Sequence, residues 1–135
     1  MKRRIFILDE AIAKLPWLEL KFQELDEVKR LIDALKEEVS VLLRKSRRNG
    51  GGGSDEQIGE TQRKIEEFRS QTSVLIDDIM AEGILVRDLN MGLVDFPSFS
   101  DGTEILLCWV RGEKTILYWH GVNEGYMSRK RLRHE

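Results

Sequence analysis

With 135 residues, 41% of them apolar and 34% charged, the chain fits one domain whose charge content leans toward long helices. A net charge of −2 and a pI near 5.8 exclude a protein that gathers polyanions over its whole surface. No apolar run approaches the ~20 residues that span a bilayer, and the single cysteine, Cys108, excludes an intrachain disulfide.

The chain opens basic and then apolar, from Lys2 to Leu8. Asp9 and Glu10 end that stretch too soon for the ~7–15 apolar residues of a signal peptide. With the lone cysteine, this points to the cytoplasm. Residues 2–7 are short, β-branched and aromatic, and predict a strand. From Asp9 the pattern turns helical. Pro16 lacks an N–H and breaks a helix interior, so a short helix near 8–15 should restart there. The kinked helix as a whole covers 8–48. Its apolar positions are Leu15, Leu18, Phe22, Leu25, Val28, Ile32, Leu35, Val39 and Leu42. They alternate in steps of three and four, with one irregular step between Leu25 and Val28, which reads as a coiled-coil seam with a stammer.

Residues 49–54 contain four consecutive glycines, too costly in backbone entropy to be helical. They predict a Gly-rich turn that folds the chain into an αα-hairpin. Ser54 and Gln57 make a capping box for a second helix over 55–82. Ile58, Thr61, Ile65, Phe68, Thr72, Leu75 and Ile79 supply its seam, weakened by the two threonines, and Gly83 is its stop. A two-helix hairpin of this length buries little. Either the seams satisfy each other or a partner covers them, and a four-helix homodimer is the simplest partner.

A β-module over 84–121 and a basic tail over 122–135 follow. Asn90-Met91-Gly92, Pro97-Ser98 and Asp101-Gly102 punctuate short apolar runs. Gly112-Glu113 reads as a two-residue type II′ turn. That turn makes facing residue numbers sum to 225, so Cys108 faces Leu117 and His120 lies on the opposite face from Cys108; a three-residue loop shifts the sum to 226 and puts both on one face. The expected fold is α+β: a long antiparallel, coiled-coil-like helical hairpin followed by a small antiparallel sheet.

Gly92-Leu93-Val94-Asp95-Phe96-Pro97, Leu107-Cys108-Trp109, Gly112-Glu113, Tyr118-Trp119-His120 and Gly125-Tyr126 with Ser128-Arg129 occur in close order. Together with Phe6, Leu8-Asp9-Glu10-Ala11 and Leu15-Pro16, they resemble the prokaryotic family called domain of unknown function 2203 over nearly the whole chain. That family is uncharacterised, so the resemblance implies a fold and no reaction. Ile7 stands where the family usually has a helix-capping Thr or Ser, and Arg131 where it often has Pro.

The candidate functional cluster is Asp95, Cys108, Glu113, Tyr118, Trp119, His120 and Arg129. His120 is a base or ligand, or a buried histidine held near a strand end, and the structural reading is favoured. Cys108 is a nucleophile only if His120 activates it; otherwise it is a small apolar residue. Asp95 is a charge inside an apolar run and needs a partner, for which Arg129 or His120 qualifies. Glu113 is expected to be exposed in its turn, and Asp88 is a weaker candidate. No His/Cys pair has zinc-finger or zincin spacing, and no P-loop or dinucleotide fingerprint is present. Metal ligands and catalytic residues are therefore unassigned and any cofactor is unknown.

Basic residues cluster in three places: Lys2, Arg3 and Arg4; Arg44, Lys45, Arg47 and Arg48; and Arg129, Lys130, Arg131 and Arg133. They offer a nucleic-acid surface, but no aromatic interleaves with them, so nucleic acid ranks low. The expected function is a non-catalytic interaction or scaffold module, acting as a homodimer through its helical seams or binding another protein, with no membrane partner. The alternative is a small-ligand or metal site, possibly enzymatic, around Asp95 and His120.

Overall fold

The computed structural model describes residues 4–48 and 55–133. The Gly-rich turn with its Ser54 cap, Lys2, Arg3 and His134 lie outside the described residues. Three helices, α1 (Leu8–Ala13), α2 (Leu15–Arg48) and α3 (Asp55–Ala81), precede five strands. These are β1 (Leu85–Asp88), β2 (Leu93–Ser100), β3 (Thr103–Val110), β4 (Tyr118–Gly121) and β5 (Lys130–Arg131). The strands form one antiparallel sheet in chain order, so the fold is α+β as expected. Among the described residues no helix is long and apolar enough to cross a membrane.

The chain divides into two compact units. One takes residues up to 22 and from 76 onward, the other residues 23–75.

In the first unit, residues 4–7 form no strand, contrary to the expectation from the short β-branched and aromatic stretch over 2–7. Phe6 donates its N–H to the Pro97 carbonyl at 2.7 Å. Pro97 has no N–H to return, so the ladder stops there. The Phe6 carbonyl instead accepts the Ser98 hydroxyl at 2.6 Å. Glu10 accepts the Ile7 N–H at 3.0 Å, half of a capping box; Ile7 has no side-chain acceptor to complete the other half. α1 ends at Ala13, and Pro16 falls in the first turn of α2, where its missing N–H costs nothing.

Lys21 on α2 bonds Asp78 on α3 at 3.2 Å, and Lys14, between α1 and α2, pairs with Glu82 just past the end of α3. The bonded Lys14 ammonium holds Glu82 below the usual carboxylate range. Phe22 meets Trp109 with ring centroids 6.5 Å apart, Phe6 meets Phe96 edge-on at 5.2 Å, and Arg111 bonds Glu19 at 3.1 Å. One face of the sheet, with Val94, Phe96, Leu107 and Trp109, is therefore core.

Asp101 and Gly102 both have positive φ and join β2 to β3 as a two-residue hairpin, with Ser100 paired to Thr103. The β3–β4 connection corrects the expected register. Glu113 donates its N–H to the Val110 carbonyl at 3.0 Å, accepts the Val110 N–H on its carboxylate at 2.7 Å and takes the Trp109 indole N–H on its backbone carbonyl at 2.9 Å. These bonds hold residues 111–113 as a longer turn, and β4 begins only at Tyr118. Ile105 pairs with Gly121, Leu106 with His120 and Cys108 with Tyr118, so the numbers sum to 226 rather than 225. A one-residue change moves every β4 side chain to the other face.

In the second unit, the seam residues expected from their spacing are the sheltered ones. Leu25, Val28, Ile65 and Leu75 are buried, and Ile32, Leu35, Val39 and Phe68 are half-buried. Thr61 and Thr72 donate their hydroxyls to the Gln57 and Phe68 carbonyls one turn earlier, at 2.9 and 3.1 Å, so a polar atom is satisfied within its own helix.

Candidate functional site

The corrected register builds the site. Asp95 on β2 pairs with Cys108 on β3, and Cys108 pairs with Tyr118 on β4. His120, two residues past Tyr118, shares their face, diagonal to Cys108. One carboxylate oxygen of Asp95, the Cys108 sulfur and a His120 ring nitrogen all lie within 4.8 Å of one another. All three residues are buried.

The hydrogen bonds around the ring are specific. His120 Nδ1 lies 2.9 Å from the Gly121 carbonyl, an acceptor only, so Nδ1 carries a hydrogen. Nε2 lies 3.0 Å from Asp95 Oδ1. The ring thus faces an acceptor on each side, and both bonds form only when a second proton sits between Nε2 and the carboxylate. Asp95 Oδ2 accepts Arg87 Nε at 2.9 Å. Burial first, and then the Asp95 charge, push the Cys108 pKa up to about 12. Cys108 is therefore a protonated thiol here and no activated nucleophile.

Arg87 is half-exposed and was not anticipated from the sequence. Its signal was a lone base in the apolar run Leu85-Val86-Arg87, facing the lone acid of the next run. Pairing of β1 with β2, Leu85 opposite Asp95, brings them together.

Arg129 does not partner Asp95. It bonds Glu113 at 2.6 Å and lies over the Tyr118 and Tyr126 rings at 4.0 and 4.9 Å. Burial opposes the Arg129 charge, but the Glu113 carboxylate holds the guanidinium more firmly protonated than usual. Glu113 is accordingly a half-buried clamp rather than an exposed turn residue. Trp119 falls on the opposite face, with Lys130 4.7 Å from its ring centroid. Asp88 accepts the Met91 N–H at 2.9 Å and shapes the β1–β2 turn. The proposed cluster thus separates into Asp95–Cys108–His120 with Arg87, and Glu113–Arg129–Tyr118 beside it.

Of the basic patches, Arg44, Lys45, Arg47 and Arg48 are exposed, as are Arg131 and Arg133. Arg4 lies over the Phe6 ring. Lys130 bonds Glu124 at 2.8 Å, and that bond, followed by the Gly121 N–H, keeps the Glu124 carboxyl below its usual range.

A cavity of about 370 Å³ opens beside the buried pair, walled by Asp95, His120, Arg87 and the 122–126 loop. Arg87 and Val122 also line a neighbouring groove of about 840 Å³, with Leu85, Pro97 and Leu106 from the same sheet face.

These features define an α+β protein with a helical hairpin and an antiparallel meander that carries a buried Asp–Cys–His cluster next to an open cavity. The chain belongs to the family described as uncharacterized conserved protein (DUF2203), whose profile matches residues 4–132. No curated protein and no solved structure matches the chain.

Proposed function

We propose that the protein binds a small molecule on the outer face of its sheet, one with a polar head and an apolar body. The observation that carries this is the continuity at Arg87 and Val122. On one side lies a cavity walled by Asp95 and His120, on the other a groove lined by Leu85, Pro97 and Leu106. A few convergent polar groups beside apolar surface are the usual make-up of a ligand site. The paired Asp95 carboxylate and His120 imidazole suit hydrogen bonding to the head group, and acid–base chemistry on it.

The test is a fragment screen on the full chain in chelator, read by amide chemical shifts. Saturable shifts confined to Arg87 and residues 122–126, lost in Val122→Trp, are expected. No saturable binder, or shifts elsewhere, rejects the site.

A second reading, a homodimeric scaffold, has its own observation. A groove of about 500 Å³ between α2 and α3 is lined by Val28, Leu31, Val74 and Leu75, and Leu31 and Val74 are exposed. A second copy covering it would bury the half-sheltered seam as in a four-helix bundle. Sedimentation velocity decides: a dimer that becomes monomeric in Val74→Asp supports it, and a monomer at ~50 μM, weaker than any stable dimer, rejects it.

A further inference from the structure

Asp95, Cys108 and His120 come from three adjacent strands, not from loops, so their positions are fixed by the sheet ladder. We propose that they form a three-ligand site for a divalent first-row transition-metal ion such as zinc, with a fourth position open to the cavity. The inference extends the small-molecule site above but does not require that ligand to exist.

The geometry is close to what such an ion needs. With bonds of ~2.0 Å to nitrogen and oxygen and ~2.3 Å to sulfur, the edges of a tetrahedron run from about 3.3 to 3.6 Å. The His120–Asp95 edge is already 3.0 Å. The widest separation among the three ligand atoms is within 4.8 Å, so closing it asks for about 1 Å of side-chain movement.

The surroundings are those of a ligand set. The His120 Nδ1–H is held by the Gly121 carbonyl, which points Nε2 inward, where it offers a lone pair once an ion takes the place of the proton. Arg87 takes Asp95 Oδ2 and leaves Oδ1 as a single donor atom. The open side is the 370 Å³ cavity, room for water or a ligand head group. A site closed on three sides and open on the fourth is the catalytic rather than the structural pattern.

The donor set selects the metal. One sulfur, one imidazole and one carboxylate suit zinc, cobalt or iron(II), and the sulfur disfavours magnesium and calcium. On binding, the ion displaces the Cys108 thiol proton and the proton between His120 and Asp95. No electron is transferred. The resulting thiolate and carboxylate balance the two positive charges of the ion.

The test is an anaerobic titration of cobalt(II) into the full chain near pH 8. Cys108 is the single cysteine of the sequence, so a sulfur-to-cobalt charge-transfer band in the wild type identifies it without any variant. One cobalt per chain, that band, the intense visible bands of four-coordinate cobalt, and displacement by zinc are expected. Cys108→Ser should abolish the charge-transfer band, and His120→Asn should weaken binding by more than the ~100-fold that outer-shell changes cost. Val122→Trp should keep the metal while losing the small molecule, so the two readings fail separately. No charge-transfer band in a folded wild-type chain overturns the proposal, as does a band unchanged in a folded Cys108→Ser.

Discussion

Removing the Asp95 carboxylate should cost the fold far more than removing its exposed partner, although both substitutions break the same ion pair. Asp95→Ala leaves His120 Nε2 facing no acceptor at a position 2% exposed. An abandoned buried donor costs about 1–3 kcal/mol. The Arg87 bond disappears as well. The total should be about 3–4 kcal/mol, within the ~3–5 kcal/mol for breaking a buried pair from one side. Arg87→Ala should cost only about 1 kcal/mol, since the Arg87 side chain is 46% exposed and water in the adjoining cavity can take its place on Oδ2. Replacing both buried partners, Asp95→Leu with His120→Phe, should recover at least ~1.5 kcal/mol relative to additivity, because neither polar group is then left alone. Urea unfolding followed by tryptophan fluorescence suits the assay, since Trp17, Trp109 and Trp119 all lie in the unit that holds the site. If Arg87→Ala proves as costly as Asp95→Ala, or Asp95→Ala costs under ~1 kcal/mol, the assignment of a buried, mutually dependent pair is refuted.

The Cys108 thiol makes stability fall in alkali. Its folded pKa, about 12, stands above its value in the unfolded chain, near ~8.5. Both states keep the proton below the unfolded value, so the loss begins there and grows until pH reaches the folded value, by about 1.4 kcal/mol per pH unit at most; urea midpoints at pH 8 and 10 should converge in Cys108→Ala. In native protein at pH 8, thiol reagents should label Cys108 only as fast as the sheet opens, and instantaneous labelling would contradict its burial. Glu113→Ala removes the acceptor of the Val110 N–H and the partner of Arg129, for a loss of about 1–3 kcal/mol in urea. Gly92→Ala places a Cβ 2.5 Å from Arg111 Cβ at a φ of +68°, and should cost about 1–3 kcal/mol, measured the same way.

Much of the scaffold was legible from local chemistry. The three-and-four spacing from Leu15 to Leu42 marked the sheltered face of α2, because a helix brings such positions onto one side whatever it packs against. Gly83 marked the end of α3, and Asp101-Gly102 marked a hairpin, because both need backbone angles that few residues accept. Asp95, Cys108 and His120 were identifiable as polar or reactive side chains inside apolar strands. The sequence by itself therefore determined the helices and the β2–β3 hairpin, and which side chains sit uneasily in the core, but not the fate of residues 4–7 or the strand in the basic tail.

The site was decided by tertiary structure. Whether Cys108 and His120 share a face depends on one residue of register, and that residue is set by Glu113 folding back onto Val110 and Trp109. Arg129 goes to Glu113 and Arg87 to Asp95 for the same reason, since a charge pairs with whatever carboxylate the ladder places beside it. Period-two alternation says that a strand has two faces but not which neighbour's face each one joins.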